Sequence, residues 1–449
     1  MTTPFNWLRG ADRDGRVVPD SGRAWYILGL LTLAYGLSYV DRQLLNLLVE
    51  PVKRSFQITD VQISILQGAA FVIPYCLMGP AIGRLVDVSS RRNVLMACIA
   101  IWSVSTAACG LASSFAELVS ARAIVGMSEA CLFPVAWSLI PEMFSASRGA
   151  RAYSVFAMGS NLGSAFSLLF GGAVVAGAAR LSSTIPQLGQ FAPWQLAFIV
   201  VGLPGLLFCG VLFLLREPQR SQNAGEGPVR YSFSQSVAVL TQNWRFYLPI
   251  IVSNGTLAIV ALSIPAWVPS FLARAYHVAI VDIGFYFGIV LLVSSTVGLY
   301  FGPLIAQRLS KNGAPDASLT VATVACGAMA AFSLALPFAP TAPAALVIVG
   351  LLVASTMVCS PLLGFSCQRI APAPVRGFVS SLWTLSAQVI GYGTGPTLVA
   401  LMTEHVFRNP TMVGWSLQVV CAAAATATGL LVFVARPAFR NSLVKNGAH

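Results

Sequence analysis

Charge is what this sequence lacks most. Asp, Glu, Lys and Arg make up 9% of its 449 residues, against about 25% in an ordinary soluble domain. That excludes a typical water-soluble globular protein. Histidine is nearly absent too. His277, His405 and His449 all fall in expected loops or the tail, which leaves no histidine to carry protons inside a membrane. Nine cysteines are scattered and form no CxxC pair, so neither a metal site nor a disulfide framework is indicated. GxSxG and the Walker A pattern are also missing. An enzyme or an ATP-driven pump is therefore not expected, and neither is a metal or other cofactor. The first residues are polar and charged through Arg23, and read as an arm rather than a cleavable signal peptide.

What fills the chain instead is apolar: 56% of residues are hydrophobic and the mean hydropathy is +0.76. A helix needs about 20 apolar residues to cross a bilayer. Twelve such spans are expected, near 25–50, 62–83, 93–113, 115–138, 150–178, 194–215, 246–272, 281–306, 318–338, 342–365, 377–402 and 412–435. The fold class is thus an all-α integral membrane protein. An even number of spans puts both termini on one side. Of the 27 basic residues, 20 then fall on the terminal side, five on the other, and two, Arg42 and Arg122, inside spans. The positive-inside rule makes both termini cytoplasmic, with the cell membrane as the location. The net charge of +12 is topological in origin, and nucleic acid is not an expected partner.

The longest polar connection, 216–245, divides the spans six and six. The expected domains are a cytoplasmic arm (1–24), a six-helix bundle (25–215), a linker (216–245), a second bundle (246–435) and a tail (436–449). The last third of the linker, 231–240, has the pattern of a short surface helix. The halves echo each other. Arg148-Gly149 and Arg376-Gly377 open the fifth and eleventh spans, and Gly163 and Gly391 lie at the same offset. GRLVDV at 83–88 is echoed by GPLIAQ at 302–307, a copy with no acidic residue. Parallel six-helix halves with binding near the midplane are a known transporter plan.

Four charges stand out because a bilayer makes each expensive, about 3 kcal/mol on insertion scales. Asp41 and Arg42 lie side by side in the first span, Arg122 and Glu129 in the fourth. Residues seven apart share one helix face, so Arg122 and Glu129 can meet Asp41 across the first and fourth spans. Three readings follow: a static ion-pair network, a proton-coupling centre at Asp41 and Glu129 with Arg42 and Arg122 as charge partners, or an anion site at Arg122. The second half has polar and aromatic candidates only. Tyr39 from the first half, with Asn254, Trp267, Ser360 and Trp383 from the second, are the candidate cavity residues. A cavity charged on one wall and apolar on the other suits an amphipathic solute.

The loop Gly83-Arg84-Leu85-Val86-Asp87-Val88-Ser89-Ser90-Arg91-Arg92 resembles the G-x-L-a-D-R-x-G-R-[RK] motif of the major facilitator superfamily. Gly83, Leu85, Asp87, Arg91 and Arg92 match, while Val88 and Ser90 depart from it. The resemblance implies a cytoplasmic gate in which Asp87 latches the two halves. The glycine would permit close helix approach. Arg122-Ala-Ile-Val-Gly126-Met-Ser-Glu129-Ala130 resembles the RxxxGxxEA pattern of the spinster-type lipid transporters and of the anion:cation symporters. The segments 39–42, 194–208, 216–218 and 267–274 are similar to the spinster branch. The leading expectation is a monomeric secondary transporter working by alternating access and proton-coupled through the four charges; the resemblance implies that its solute is lipid-like or amphipathic. The alternatives are an organic-anion/proton symporter and a non-transporting membrane receptor or scaffold.

Overall fold

A bilayer offers no water to the backbone, so a spanning segment must satisfy its N–H and C=O groups internally. The computed structural model accordingly shows helices and no strand among the described residues, which are 20–214, 233–372 and 375–445. The expected arm to residue 19, the expected linker to residue 232 and the tail from 446 lie outside them.

In chain order the helices are α1 (Gly22–Leu47), α2 (Val49–Phe56), α3 (Asp60–Gln67), α4 (Ala69–Val88), α5 (Arg91–Leu111) and α6 (Phe115–Glu129). Next come α7 (Leu132–Met143), α8 (Ala146–Thr184), α9 (Pro193–Phe213), α10 (Phe233–Gln242), α11 (Trp244–Tyr276) and α12 (Ile280–Lys311). Last are α13 (Ala317–Ala335), α14 (Ala342–Ile370), α15 (Arg376–Ser386), α16 (Gly393–Leu401) and α17 (Val413–Lys445). Among the described residues, ten helical stretches are long and apolar enough to cross a membrane. Two other expected spans are helical but fall short of that measure. One is α1, which carries Asp41 and Arg42. The other is α15 to α16, interrupted by π-helical stretches at Ala387–Tyr392 and Met402–Phe407.

Prolines account for two further interruptions. Pro51 cannot donate to the Leu47 carbonyl, and the helix breaks at Leu48 (φ −94, ψ 9). Pro134 cannot donate to Ala130, and the fourth span breaks there, so α6 ends at Glu129. Side-chain caps set the starts: Ser90 accepts from the Asn93 N–H, Ser114 from Glu117 and Thr341 from Ala344, each worth about 1 kcal/mol.

Among the described residues, contacts group 20–57 with 70–214, and 58–69 with those from 233 onward. In the first unit α1 packs on α8 and α5 on α9. Glycine lets the backbones approach: a Cβ on Gly159 would stand 2.5 Å from the Thr32 carbonyl oxygen. Gly163 lies against Gly36 in this unit, and in the second Gly391 lies against Ala258. The fifth and eleventh spans thus meet the first span of their own unit through matching glycines, as the echo in the sequence implies.

The second unit takes in α3, which the sequence places in the first bundle. Arg274 of α11 donates to both Asp60 oxygens, at 2.8 and 2.7 Å. Gln67 Nε2 donates to the Ala266 carbonyl at 3.1 Å, and Glu404 Oε1 accepts from the Val61 N–H at 3.1 Å. Gly68 follows α3, and a Cβ there would come within 2.5 Å of the Tyr392 carbonyl oxygen.

Candidate functional site

The four intramembrane charges meet inside the first unit. Asp41 and Arg42 are consecutive on α1, so they point about 100° apart and do not pair with each other. Arg122 and Glu129 lie two turns apart on one face of α6, and each takes one of them. Arg122 Nη1 donates to Asp41 Oδ2 at 3.0 Å. Arg42 Nε donates to Glu129 Oε2 at 3.0 Å, with Arg42 Nη2 on the same oxygen. Both pairs are buried: Asp41 is 3% exposed, Arg42 8%, Arg122 1% and Glu129 0%. The break at Ala130 places Glu129 on the last turn of α6.

Two residues that the sequence did not single out complete the cluster. Thr106 of α5 donates to Asp41 Oδ2 at 3.3 Å. The Phe71 ring of α4 lies under both guanidinium groups, 4.1 Å from Arg42 Cζ and 5.7 Å from Arg122 Cζ. Tyr39 faces Arg42 as well, at 4.7 Å. A desolvated cation over an aromatic face gains about 1–2 kcal/mol. Spacing signals neither residue; the fold brings Phe71 of α4 and Thr106 of α5 to the cluster.

The cluster is not fully satisfied. Asp41 Oδ1, Glu129 Oε1 and Arg122 Nε have no hydrogen-bond partner among the described residues. Unmet buried polar atoms are uncommon and costly, about 1–3 kcal/mol each. Each carboxylate therefore has one oxygen that no donor among the described residues reaches.

The second-half candidates are placed differently. Trp267 is fully buried and its indole N–H donates to the Pro396 carbonyl at 2.9 Å. Asn254 Nδ2 donates to the Trp383 carbonyl at 2.8 Å and to Ser386 Oγ at 3.1 Å, where α15 gives way to a π-helical stretch. Trp383 is half-buried, and Ser360 is exposed on α14. Asn254 and Trp383 therefore touch, whereas Tyr39 belongs to the ion-pair cluster.

The gate motif lies at the junction of α4 and α5. Arg91 is buried, and its Nη1 donates to Glu142 Oε2 at 2.6 Å and to Ser138 Oγ at 3.3 Å. Arg92 Nη1 reaches the Phe213 carbonyl at 3.4 Å. These two arginines tie α5 to the ends of α7 and α9. Asp87 is exposed. The close approach expected at Gly83 is not what this structure uses: a Cβ there would meet nothing within 4 Å.

Residues 31–396 match the family model of the Major Facilitator Superfamily. An MFS-type efflux pump of Mycolicibacterium smegmatis is 23% identical over 97% of this chain and 96% of its own. Protein spinster homolog 3 of Danio rerio is 26% identical over 67% of this chain and 61% of its own. The hexuronate transporter of Escherichia coli K12 is 24% identical, over 65% and 68%. Among solved structures, a bacterial homolog of the human lysosomal transporter Spinster, inward-facing and unoccupied, superposes with a TM-score of 0.72. It is 24% identical and covers 94% of this chain and 96% of that one. The helical fold, its intramembrane charge cluster and a family match over most of its length agree: this chain belongs to the Major Facilitator Superfamily of membrane transporters.

Proposed function

We propose that this protein is a proton-coupled secondary transporter that moves a lipid-like or amphipathic organic solute by alternating access. The observation that carries the reading is the pair of crossed ion pairs, Asp41 with Arg122 and Glu129 with Arg42, each with a carboxylate oxygen unclaimed. Ionised Asp41 holds Arg122 and so favours one access state. A proton on Asp41 removes that charge and releases the guanidinium. If its proton affinity differs by one pKa unit between states, protonation shifts their ratio about tenfold. Glu129 and Arg42 form a second pair of the same kind one face away.

An amphipathic solute is favoured by charges concentrated in the first unit, whereas the mid-span polar groups of the second are amides, hydroxyls and an indole. The distribution of basic residues, 20 on one side and five on the other, supports cytoplasmic termini and linker in a cell membrane. The chain is proposed to act as a monomer. The hexuronate relative makes a sugar acid the competing solute. Against it, Arg122 is engaged by Asp41, so an incoming carboxylate would have to displace that partner.

The test is flux in liposomes holding the purified protein, with a lysophospholipid and a sugar acid as solutes, with and without a pH gradient. Gradient-driven lysophospholipid movement is expected. Sugar-acid uptake without lysophospholipid movement would turn the reading to an organic-anion symporter. Indifference to the gradient would leave the ion pairs as a static brace. No flux of any solute through folded protein would point to a receptor or scaffold.

A further inference from the structure

A cavity of about 720 Å³ opens in the second unit between α12 and α14, below the turn that leads into α13. Its size lies within the range of small-molecule and lipid pockets, about 300–1,000 Å³. Its walls are apolar: Tyr300, Pro303 and Leu304 from α12, and Pro361, Leu362 and Phe365 from α14. Tyr300 and Phe365 are 63% and 59% exposed, so the apolar lining continues to the surface. At one end the lining becomes polar with Gln307, Ser310, Lys311 and Arg369, and none of the lining residues is acidic.

The second copy of the loop motif lacks the acidic residue that the first carries. At the offset of the internal echo, Ala306 stands where Asp87 stands in the first copy. The acidic residue nearest in sequence, Asp316, is already taken: Arg436 Nε lies 2.8 Å and Arg440 Nε 3.0 Å from its Oδ2. Among the described residues neither Lys311 nor Arg369 forms an ion pair. Two cations above an apolar cleft at the end of spanning helices complement a molecule with an anionic head and a hydrocarbon tail.

We propose that this cavity binds an anionic phospholipid of the bilayer, with its phosphate between Lys311 and Arg369 and an acyl chain along Tyr300, Leu304 and Phe365. The site shares no residue with the ion-pair cluster, and the proposal holds whichever solute the protein carries. Anionic lipid would then secure the junction of α12, α13 and α14.

The test uses the full chain in detergent, with phosphatidylglycerol or phosphatidylcholine added and retention read by native mass spectrometry and thermal unfolding. Phosphatidylglycerol should be retained at least tenfold better than phosphatidylcholine. Combining Lys311→Gln with Arg369→Gln should remove that preference without altering unfolding in phosphatidylcholine. Arg308→Gln, an exposed cation outside the lining, should leave it intact. Lys311→Gln alone, at an exposed position, should weaken it and keeps the test decisive if the double variant fails to fold. Equal retention of the two lipids overturns the proposal, as does a preference unchanged in the double variant. Competition by millimolar inorganic phosphate alone would identify a free-anion site and overturn it equally.

Discussion

In the first unit buried charges answer buried charges. In the second, Trp267 and Asn254 donate to the carbonyls of Pro396 and Trp383. The energetic consequences differ. A carbonyl does not titrate, so the contacts of Trp267 and Asn254 are present at every physiological pH. They join α11 to α16 and to the end of α15. A carboxylate–guanidinium pair stabilises only while the acid is ionised, and its desolvation cost nearly cancels its Coulomb gain. Such a pair adds little net stability but responds to one proton. The second unit has a charged pair as well, Asp60 with Arg274. There the bidentate fork satisfies both Asp60 oxygens, whereas Asp41 and Glu129 each leave one unmet.

The largest effect should come from Arg122→Ala. It strands Asp41 in a buried site and should cost about 3–5 kcal/mol of stability. Adding Asp41→Asn should restore more than half of that in thermal unfolding. If the double variant is no more stable than the single, the two side chains are not energetically coupled and the comparison fails.

Asp41→Asn alone should insert and fold, yet reduce pH-gradient-driven accumulation by tenfold or more while downhill exchange persists. Glu129→Gln should impair the same step to an equal or smaller degree. Uptake assays with and without a gradient separate the two quantities. Full accumulation by Asp41→Asn would falsify the assignment of coupling to this residue.

Trp267→Phe removes one hydrogen bond to a backbone carbonyl and should cost about 1 kcal/mol. The loss should be the same at pH 6 and pH 8, measured by thermal unfolding. A loss that varies with pH would mean that the second unit also answers to protons.

The smallest effect concerns Asp316, at the loop before α13. Burial would raise its pKa, but hydrogen bonds from Arg440 and Arg436 outweigh that and hold its carboxyl below the ordinary range. A depressed acid contributes stability above its unfolded pKa of about 3.9, and loses it as pH falls through the lower folded value. Asp316→Asn should therefore unfold at a lower temperature than the parent at pH 7. The gap should narrow below about pH 4. A constant gap would remove the ionic contribution.

Much was legible in the sequence because a bilayer penalises disorder in composition. Apolar length located the spans, and cost made Asp41, Arg42, Arg122 and Glu129 conspicuous among uncharged neighbours. The seven-residue spacing of Arg122 and Glu129 put both on one face, and the echo of Gly163 in Gly391 marked matching contacts. Asp60 and Arg274 passed unnoticed for the converse reason. Each lies at the end of an expected span, where a charge is cheap, and 214 positions separate them in the chain. Pairing needs both ends in space, and only the fold supplies that.

By itself, the sequence determined the helical membrane class, the approximate spans and the identity of the four intramembrane charges, since these follow from transfer costs paid residue by residue. Tertiary structure alone decided that Asp41 meets Arg122 while Arg42 meets Glu129, and that Phe71 and Thr106 join them. It also placed α3 with the second unit. Those outcomes depend on how helices rotate and pack against one another, and neither hydropathy nor spacing along a single helix contains that rotation.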